Sequence, residues 1–218
     1  MRYSFIGLLF LSSISCREVQ LLDVDITISG YQLNGIVTTP NGVPVEGVTV
    51  RLFYEEAYAG SAPIDTQQVI VTNASKPVDI AVYTPDYQFV RQLFLGYQPV
   101  GVLGRWTWTG YDQNDKLVPS GKYLIRYVVD TVIVKYSPVL VDGHLTAVTD
   151  GFGRFTISAA QLPVGQLFDL YDQMNSYQGT YEVIPVIDLI LRKSSTQTIH
   201  QAIGLTKDRI TKNVLVLQ

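Results

Sequence analysis

The chain has 218 residues, of which 47% are hydrophobic and 16% are charged, so it has ample material for a core and is not globally disordered. Its formal net charge is −3, and no basic block stands out, which disfavours a nucleic-acid partner. Many of the 14 tyrosines stand beside valine, isoleucine or threonine, and this mixture favours half-buried strands over helices.

The first residues have the features of an export signal. Arg2 precedes a short apolar run, Phe5–Leu11, and small residues then lead to Cys16, the only cysteine. The run is too short to span a bilayer, so we interpret residues 1–15 as a signal peptide. The position of Cys16 resembles the lipidated cysteine of bacterial lipoproteins, although Ser13 departs from that pattern. An ordinary signal peptide with an incidental cysteine is the alternative.

The lipoprotein resemblance implies that the mature chain begins at Cys16 and is anchored to a membrane by lipid. We therefore expect an exported protein at the outer membrane or cell surface. Whether it faces the periplasm or the exterior stays open. With a single cysteine no intrachain disulfide is possible, so the core must hold by packing alone.

Most of the remaining chain alternates between apolar and polar residues with the period of a strand. In residues 48–54, for example, Val48, Val50, Leu52 and Tyr54 are expected to share one face. Turn signals such as the Pro-Asn-Gly at 40–42 separate these runs. The best helical candidate, residues 159–174, is interrupted by proline and glycine. We predict an all-β chain folded as an antiparallel β-sandwich.

Two separated stretches, GIVTTPNGVPVEGVTVRL (35–52) and TAVTDGFGRFTIS followed by LPVGQLFDL (146–170), resemble the carboxypeptidase regulatory-like domain. That family is a small transthyretin-like sandwich, an accessory module that lacks the zinc-binding catalytic part. The matching residues are Gly35, Pro44, Gly47, Thr149, Asp150, Gly153, Phe155, Ile157, Pro163 and Gly165.

The intervening residues 78–129 resemble the Ig-like domain of flagellar hook-capping proteins and the related sorting modules of secreted proteins in gliding bacteria. Lys116 departs from the pattern, and so does the central position of the segment, so the sorting function is not carried over. The matching residues are Asp86, Val90, Arg91, Leu93, Trp108, Gly110, Asp112, Val118, Pro119, Ser120, Gly121 and Tyr123.

Together the two resemblances predict an Ig-like module inserted into a split transthyretin-like domain. The split sandwich would comprise residues 28–60 and 139–192, and the inserted Ig-like sandwich residues 66–136. Residues 193–218 would form a C-terminal tail and edge strand. A single continuous sandwich is the alternative.

The acidic stretch 112–115 raises the question of a cation site. Counted as a calcium loop from Asp112, the sequence places Lys116 where an oxygen ligand is needed and Tyr123 where the final carboxylate belongs. We therefore interpret Asp112 as a turn residue whose carboxylate binds its own backbone. Asp142, His144 and Asp150 have the spacing of no compact metal site. We read Asp150 as the start of a hairpin turn in which Gly151 and Gly153 supply positive φ.

The chain contains no nucleophile elbow, Cys-His pair or zinc-protease motif. We therefore expect no enzymatic activity, no catalytic residues, no metal and no cofactor. The predicted role is that of an envelope or surface scaffold that contacts other proteins, with residues 210–218 as an edge strand open to strand addition. The alternative is a surface glycan- or peptide-binding module that uses exposed rings at Tyr97, Trp106, Tyr111 and Tyr177.

Overall fold

The computed structural model describes residues 29–172 and 174–217. The predicted signal peptide and Cys16 lie outside these residues. Within them the chain is built almost entirely from strands, with one short 3₁₀-helix at Ala159–Gln161, which confirms the all-β prediction. The strands are β1 (Tyr31–Thr38), β2 (Thr49–Gly60), β3 (Val69–Val71), β4 (Lys76–Tyr83), β5 (Phe89–Gln98), β6 (Gly101–Leu103), β7 (Gly121–Val129), β8 (Val132–Val141), β9 (His144–Val148), β10 (Arg154–Ile157), β11 (Leu167–Tyr171), β12 (Tyr177–Arg192), β13 (Thr198–Gly204) and β14 (Arg209–Val216).

The strands form four sheets. A three-stranded sheet has the order β10-β1-β14. A five-stranded sheet has the order β11-β12-β2-β9, and its fifth strand, β13, pairs with the C-terminal half of β12. Strands β5-β4-β7-β8 form a third sheet, and the short β3 and β6 form a fourth. All pairs are antiparallel except β1 with β14, which run parallel. The predicted antiparallel β-sandwich is confirmed, and this one parallel pair is an exception within it.

Strand β2 shows how the apolar pattern places the core. Val48, which directly precedes the strand, is fully buried, as are Val50 and Leu52, and Tyr54 is nearly so, as the alternation predicts. β2 pairs with β12, where Leu189 faces Leu52 and Leu191 faces Val50 across the ladder. Because both strands direct their apolar residues to the same side, the sheet has one continuous apolar face.

Buried side chains form two clusters. The first unites β1, β2, β10, β12 and the C-terminal strands, and the second unites β3 to β8. Strands β3 to β8 pair only among themselves in the described part of the chain. This arrangement parallels the two predicted modules, whose boundaries stay a prediction.

Residues 193–217 are more than a tail. They contain β13 and β14, and they contribute Ile203, Leu205, Leu215 and Leu217 to the first buried cluster. β13 pairs with β12, and Ile199 and Ile203 share the face of β13 that packs on the first cluster. The C-terminal strand therefore belongs to the core of the first sandwich, as well as being its edge.

None of the described residues forms a helix of the length and apolarity that a membrane crossing would require.

Candidate functional site

The turn that begins at Asp112 is one copy of a motif that recurs through the fold. One oxygen of Asp112 accepts hydrogen bonds from the backbone N–H of Asn114 (2.8 Å) and of Lys116 (2.9 Å). These bonds, led by that from Lys116, lower the pKa of the carboxyl group. Asp115, the fourth residue, has a left-handed φ of 55°. The carboxylate is therefore occupied by its own backbone, as the turn interpretation predicts.

The same backbone and side-chain bonds occur in other loops. The first residue of each turn is Thr or Asp, and its side chain accepts from the N–H four positions on. The fourth residue of each has a positive φ. The first residues of these further turns are Thr39, Thr84, Asp150 and Asp172.

The turn at Asp150 corrects one sequence prediction. Gly153 has φ of 69°, as expected, but Gly151 is not in the left-handed region. The turn needs a left-handed residue only at its fourth position, just before β10 begins. Asp142 and His144 are committed elsewhere: a carboxylate oxygen of Asp142 accepts from the N–H of Tyr54, and Nδ1 of His144 lies 2.8 Å from the carbonyl oxygen of Val118. No group of three potential metal ligands occurs in the described residues.

An irregular segment, residues 104–120, lies between β6 and β7 and forms one wall of a groove. Trp106 packs against Phe94 with ring centroids 5.4 Å apart, and Trp108 packs edge-on against Tyr123 at 4.9 Å. Both indoles are half-buried and border the second cluster. Each ring is thus held rigidly while part of its surface remains open to the groove.

The groove has a volume of about 460 Å³. The irregular segment faces β8 and β11 across it, so it lies between the two buried clusters. Its lining mixes indole and phenol rings with aliphatic side chains, threonines and two carboxylates. The lining residues are Arg105, Trp106, Thr107, Trp108, Thr109, Pro138, Val139, Leu140, Asp169, Leu170, Tyr171 and Asp172.

The four predicted ligand-binding aromatics do not all contribute to this groove. Trp106 lines it, and Tyr177 reaches it indirectly through a ring contact with Tyr171 at 5.5 Å. Tyr111 lines a different depression together with Trp108. Tyr97 is 74% exposed on β5, opposite Pro77. Trp106 is therefore the one predicted ligand-binding residue that lines the groove directly.

Arg105 stands at the end of the groove. Its guanidinium carbon lies 3.4 Å from the centroid of the Tyr171 ring, a close cation–π contact. Both residues also line a second depression, of about 310 Å³. Burial raises the pKa of Tyr171, and the positive charge of Arg105 opposes that effect. The Arg105–Tyr171 pair thus borders two concave sites.

The charged side chains near the Arg105–Tyr171 pair form bonds with other groups. Lys135 Nζ lies 2.7 Å from Asp65, and the Ser137 hydroxyl donates to the other oxygen of Asp65 at 2.7 Å. The Asp169 carboxylate accepts from the backbone N–H groups of Ile64 and Asp65. These bonds fix the linker between β2 and β3 against β8 and β11.

Sequence reasoning did not find Arg105 and Tyr171. They lie 66 positions apart by the chain numbering and meet only because β11 and the irregular segment face each other. Neither residue stands in a recognisable motif. The one available signal was the direct proximity of Arg105 to Trp106 in the sequence.

The phenol of Tyr123, beneath Trp108, gives a prediction on pH. Burial raises its pKa to about 12, whereas an unfolded tyrosine ionises at about pH 10. The folded state therefore keeps the phenol neutral where the unfolded state ionises it, and this contribution is complete below about pH 10 and is lost as the pH rises towards 12. We expect the free energy of unfolding in urea to fall over this interval, and to fall less steeply in Tyr123→Phe. Equal slopes for the two proteins would contradict the assignment.

Comparison of the chain with models of known protein families, with curated proteins and with solved structures found no match. The resemblances to the carboxypeptidase regulatory-like domain and to the hook-capping Ig-like domain therefore stay predictions from the residues that carry them.

Proposed function

We propose that this chain is a non-enzymatic scaffold of the cell envelope or cell surface, exported and anchored by lipid at Cys16, that binds other proteins by strand addition. The observation that supports the proposal most is the position of β14. In the described part of the chain, β14 is the last strand of its sheet and pairs on one side with β1. The outer side of such a strand is a template for another extended chain.

The geometry of β14 shows which groups such a partner would meet. The N–H of Leu217 donates to the carbonyl oxygen of Thr38, at 2.8 Å, on the side of β1. Because backbone groups alternate in direction along a strand, Val214 and Val216 direct their N–H groups to the opposite, outer side. Their side chains are exposed. An incoming strand would therefore pair with Val214 and Val216 without disturbing the bonds to β1.

Deleting residues 210–218 would be a poor test, because Leu215 and Leu217 belong to the core. Val214→Pro is sharper, since it removes one outward N–H and leaves those directed at β1. Val214→Thr is the matched control, which changes the side chain and keeps the N–H.

The experiment uses the full-length chain as bait for proteins in a detergent extract of its own envelope. We expect any specific partner to bind the wild type and Val214→Thr equally, and Val214→Pro at least about tenfold less, since an incoming strand loses a hydrogen bond and meets the proline ring. Circular dichroism checks that Val214→Pro keeps its fold. Equal capture by all three proteins would refute strand addition at this edge.

A second candidate function is the binding of a surface glycan. The groove between the two clusters supports it, because Trp106, Trp108 and Tyr171 line the same concavity. Aromatic rings and fixed polar groups in a concave site are a usual setting for small-ligand recognition. A glycan array probed with the full chain and with Trp106→Ala tests this candidate. Hits that depend on Trp106 are expected, and an array without any hits would remove it.

A further inference from the structure

Arg105 is the cation in the lining of the groove, which also contains the carboxylates of Asp169 and Asp172. Four ion pairs form among the described residues, and Arg105 takes part in none of them. Its Nε atom is buried and has no hydrogen-bond partner. Because Nε is buried, a ligand in the groove would meet the Nη end of the guanidinium, the part of Arg105 that can line the two depressions.

The nearby carboxylates are committed to other donors. Asp65 binds Lys135 and Ser137, and Asp169 accepts two backbone N–H groups and the Thr180 hydroxyl. One oxygen of Asp172 accepts from the N–H groups of Met174 and Ser176 within its own turn, and the other accepts from the side-chain amide of Gln178. The oxygens of these acids are taken up by other donors, so among the charged groups that line the groove Arg105 is the one that can donate to a ligand.

The stack on Tyr171 holds the guanidinium in place. Tyr171 is itself fixed by its edge-on contact with Tyr177, whose hydroxyl lies 2.8 Å from the hydroxyl of Thr180. A planar guanidinium that is held in advance loses little freedom when it binds a planar, two-oxygen acceptor. The matching ligand group is a carboxylate, which accepts two parallel N–H bonds from one arginine.

The indoles beside Arg105 indicate which class of ligand would bear the carboxylate. Trp106 follows Arg105 directly in the chain, and it lines the same groove as Trp108. Indole faces stack on the C–H surfaces of sugar rings, so the groove has an apolar platform next to a carboxylate receptor. An acidic peptide would also suit Arg105, but it would make little use of a rigid aromatic platform edged with threonines.

We propose that the groove binds an acidic glycan, with a uronic-acid carboxylate on Arg105 and the neighbouring sugar ring against Trp106. This inference rests on the second candidate function, glycan binding, and specifies its ligand class. It is independent of strand addition at β14, which lies on a different sheet.

The probes are a hexamer of galacturonic acid and the same hexamer with its carboxyl groups methyl-esterified. Isothermal titration calorimetry with the full-length chain, at fixed ionic strength because salt screens charge, measures both. We expect the acid form to bind about tenfold more tightly than the ester, the size of one charge-assisted hydrogen bond. Arg105→Gln should remove this preference while it retains the binding of the ester.

Two variants sharpen the assignment. Arg105→Lys keeps the charge but loses the two-pronged geometry, and we expect it to lose most of the preference. Arg154→Gln is the matched control, because Arg154 also lies over a ring, that of Phe152 at 5.5 Å, but it stands on β10 away from the groove. It should behave as the wild type does.

Each outcome decides the proposal. Equal binding of the acid and ester forms, or a preference that survives in Arg105→Gln, would overturn the inference and leave glycan binding intact. No binding of either form, together with an empty glycan array, would overturn both. The same titration with a hexamer of neutral sugars that carries sulfate groups tests the assignment of a carboxylate. Binding of that sulfated hexamer as tight as that of the acid form would overturn the assignment.

Discussion

Gly153→Ala is expected to destabilise the protein by about 3–5 kcal/mol, at the upper end of single substitutions. The backbone of Gly153 has φ of 69°, where an L-residue with a Cβ is strained by roughly 1–2 kcal/mol. The added methyl group would also lie 2.4 Å from the carbonyl oxygen of Val37 and 3.0 Å from the nitrogen of Val45. Those two atoms bond to each other, so the substitution breaks that bond or displaces β1.

Gly151→Ala is the matched control for this prediction. It lies in the same turn, but a Cβ there would meet no atom within 4 Å, and its φ is not left-handed. We expect a change within about 0.5 kcal/mol, as for other exposed sites. Urea denaturation followed by circular dichroism measures both variants. A loss below about 1 kcal/mol in Gly153→Ala would contradict the close packing of this turn against β1.

Leu189→Ala is expected to lower the free energy of unfolding of the first cluster by about 2–5 kcal/mol, through lost burial and a residual cavity. Leu189 is fully buried on β12, opposite Leu52. Ile190→Ala is the control: Ile190 is half-buried on the opposite face, so its truncation should have a smaller effect.

The two tryptophans allow this variant to test the modular organisation. Trp106 and Trp108 are the only two in the chain, and both border the second cluster. Tryptophan fluorescence therefore reports on that cluster, whereas far-ultraviolet circular dichroism reports on all sheets. If the clusters unfold as separate units, Leu189→Ala should move the midpoint by circular dichroism and leave the fluorescence midpoint nearly unchanged. Equal shifts by both probes would support a single cooperative sandwich.

Local pattern was enough to predict the strand content and the burial of β2, because a two-residue alternation of apolar side chains determines which face enters the core. The turn at Asp112 was also predictable, since an Asp with Lys116 at the fifth position suits a backbone-capping role better than a cation site. In each case the information lies within a few neighbouring residues.

Contacts between distant segments were not predictable in the same way. The parallel pairing of β1 with β14 joins Tyr31 to Arg209, and no local signal specifies a partner so far along the chain. β13 was overlooked because its polar outer face hides the alternation of Ile199 and Ile203. The stack of Arg105 on Tyr171 has the same origin, as it depends on how β11 lies against the irregular segment.

The most direct test of strand addition is amide hydrogen exchange along β14 after the captured partner is added. The N–H groups of Val214 and Val216 should become protected, whereas those of Leu215 and Leu217, which already face β1, should change little. Protection that appears elsewhere and leaves Val214 and Val216 exchanging as in the isolated chain would contradict the proposal that this edge receives the partner.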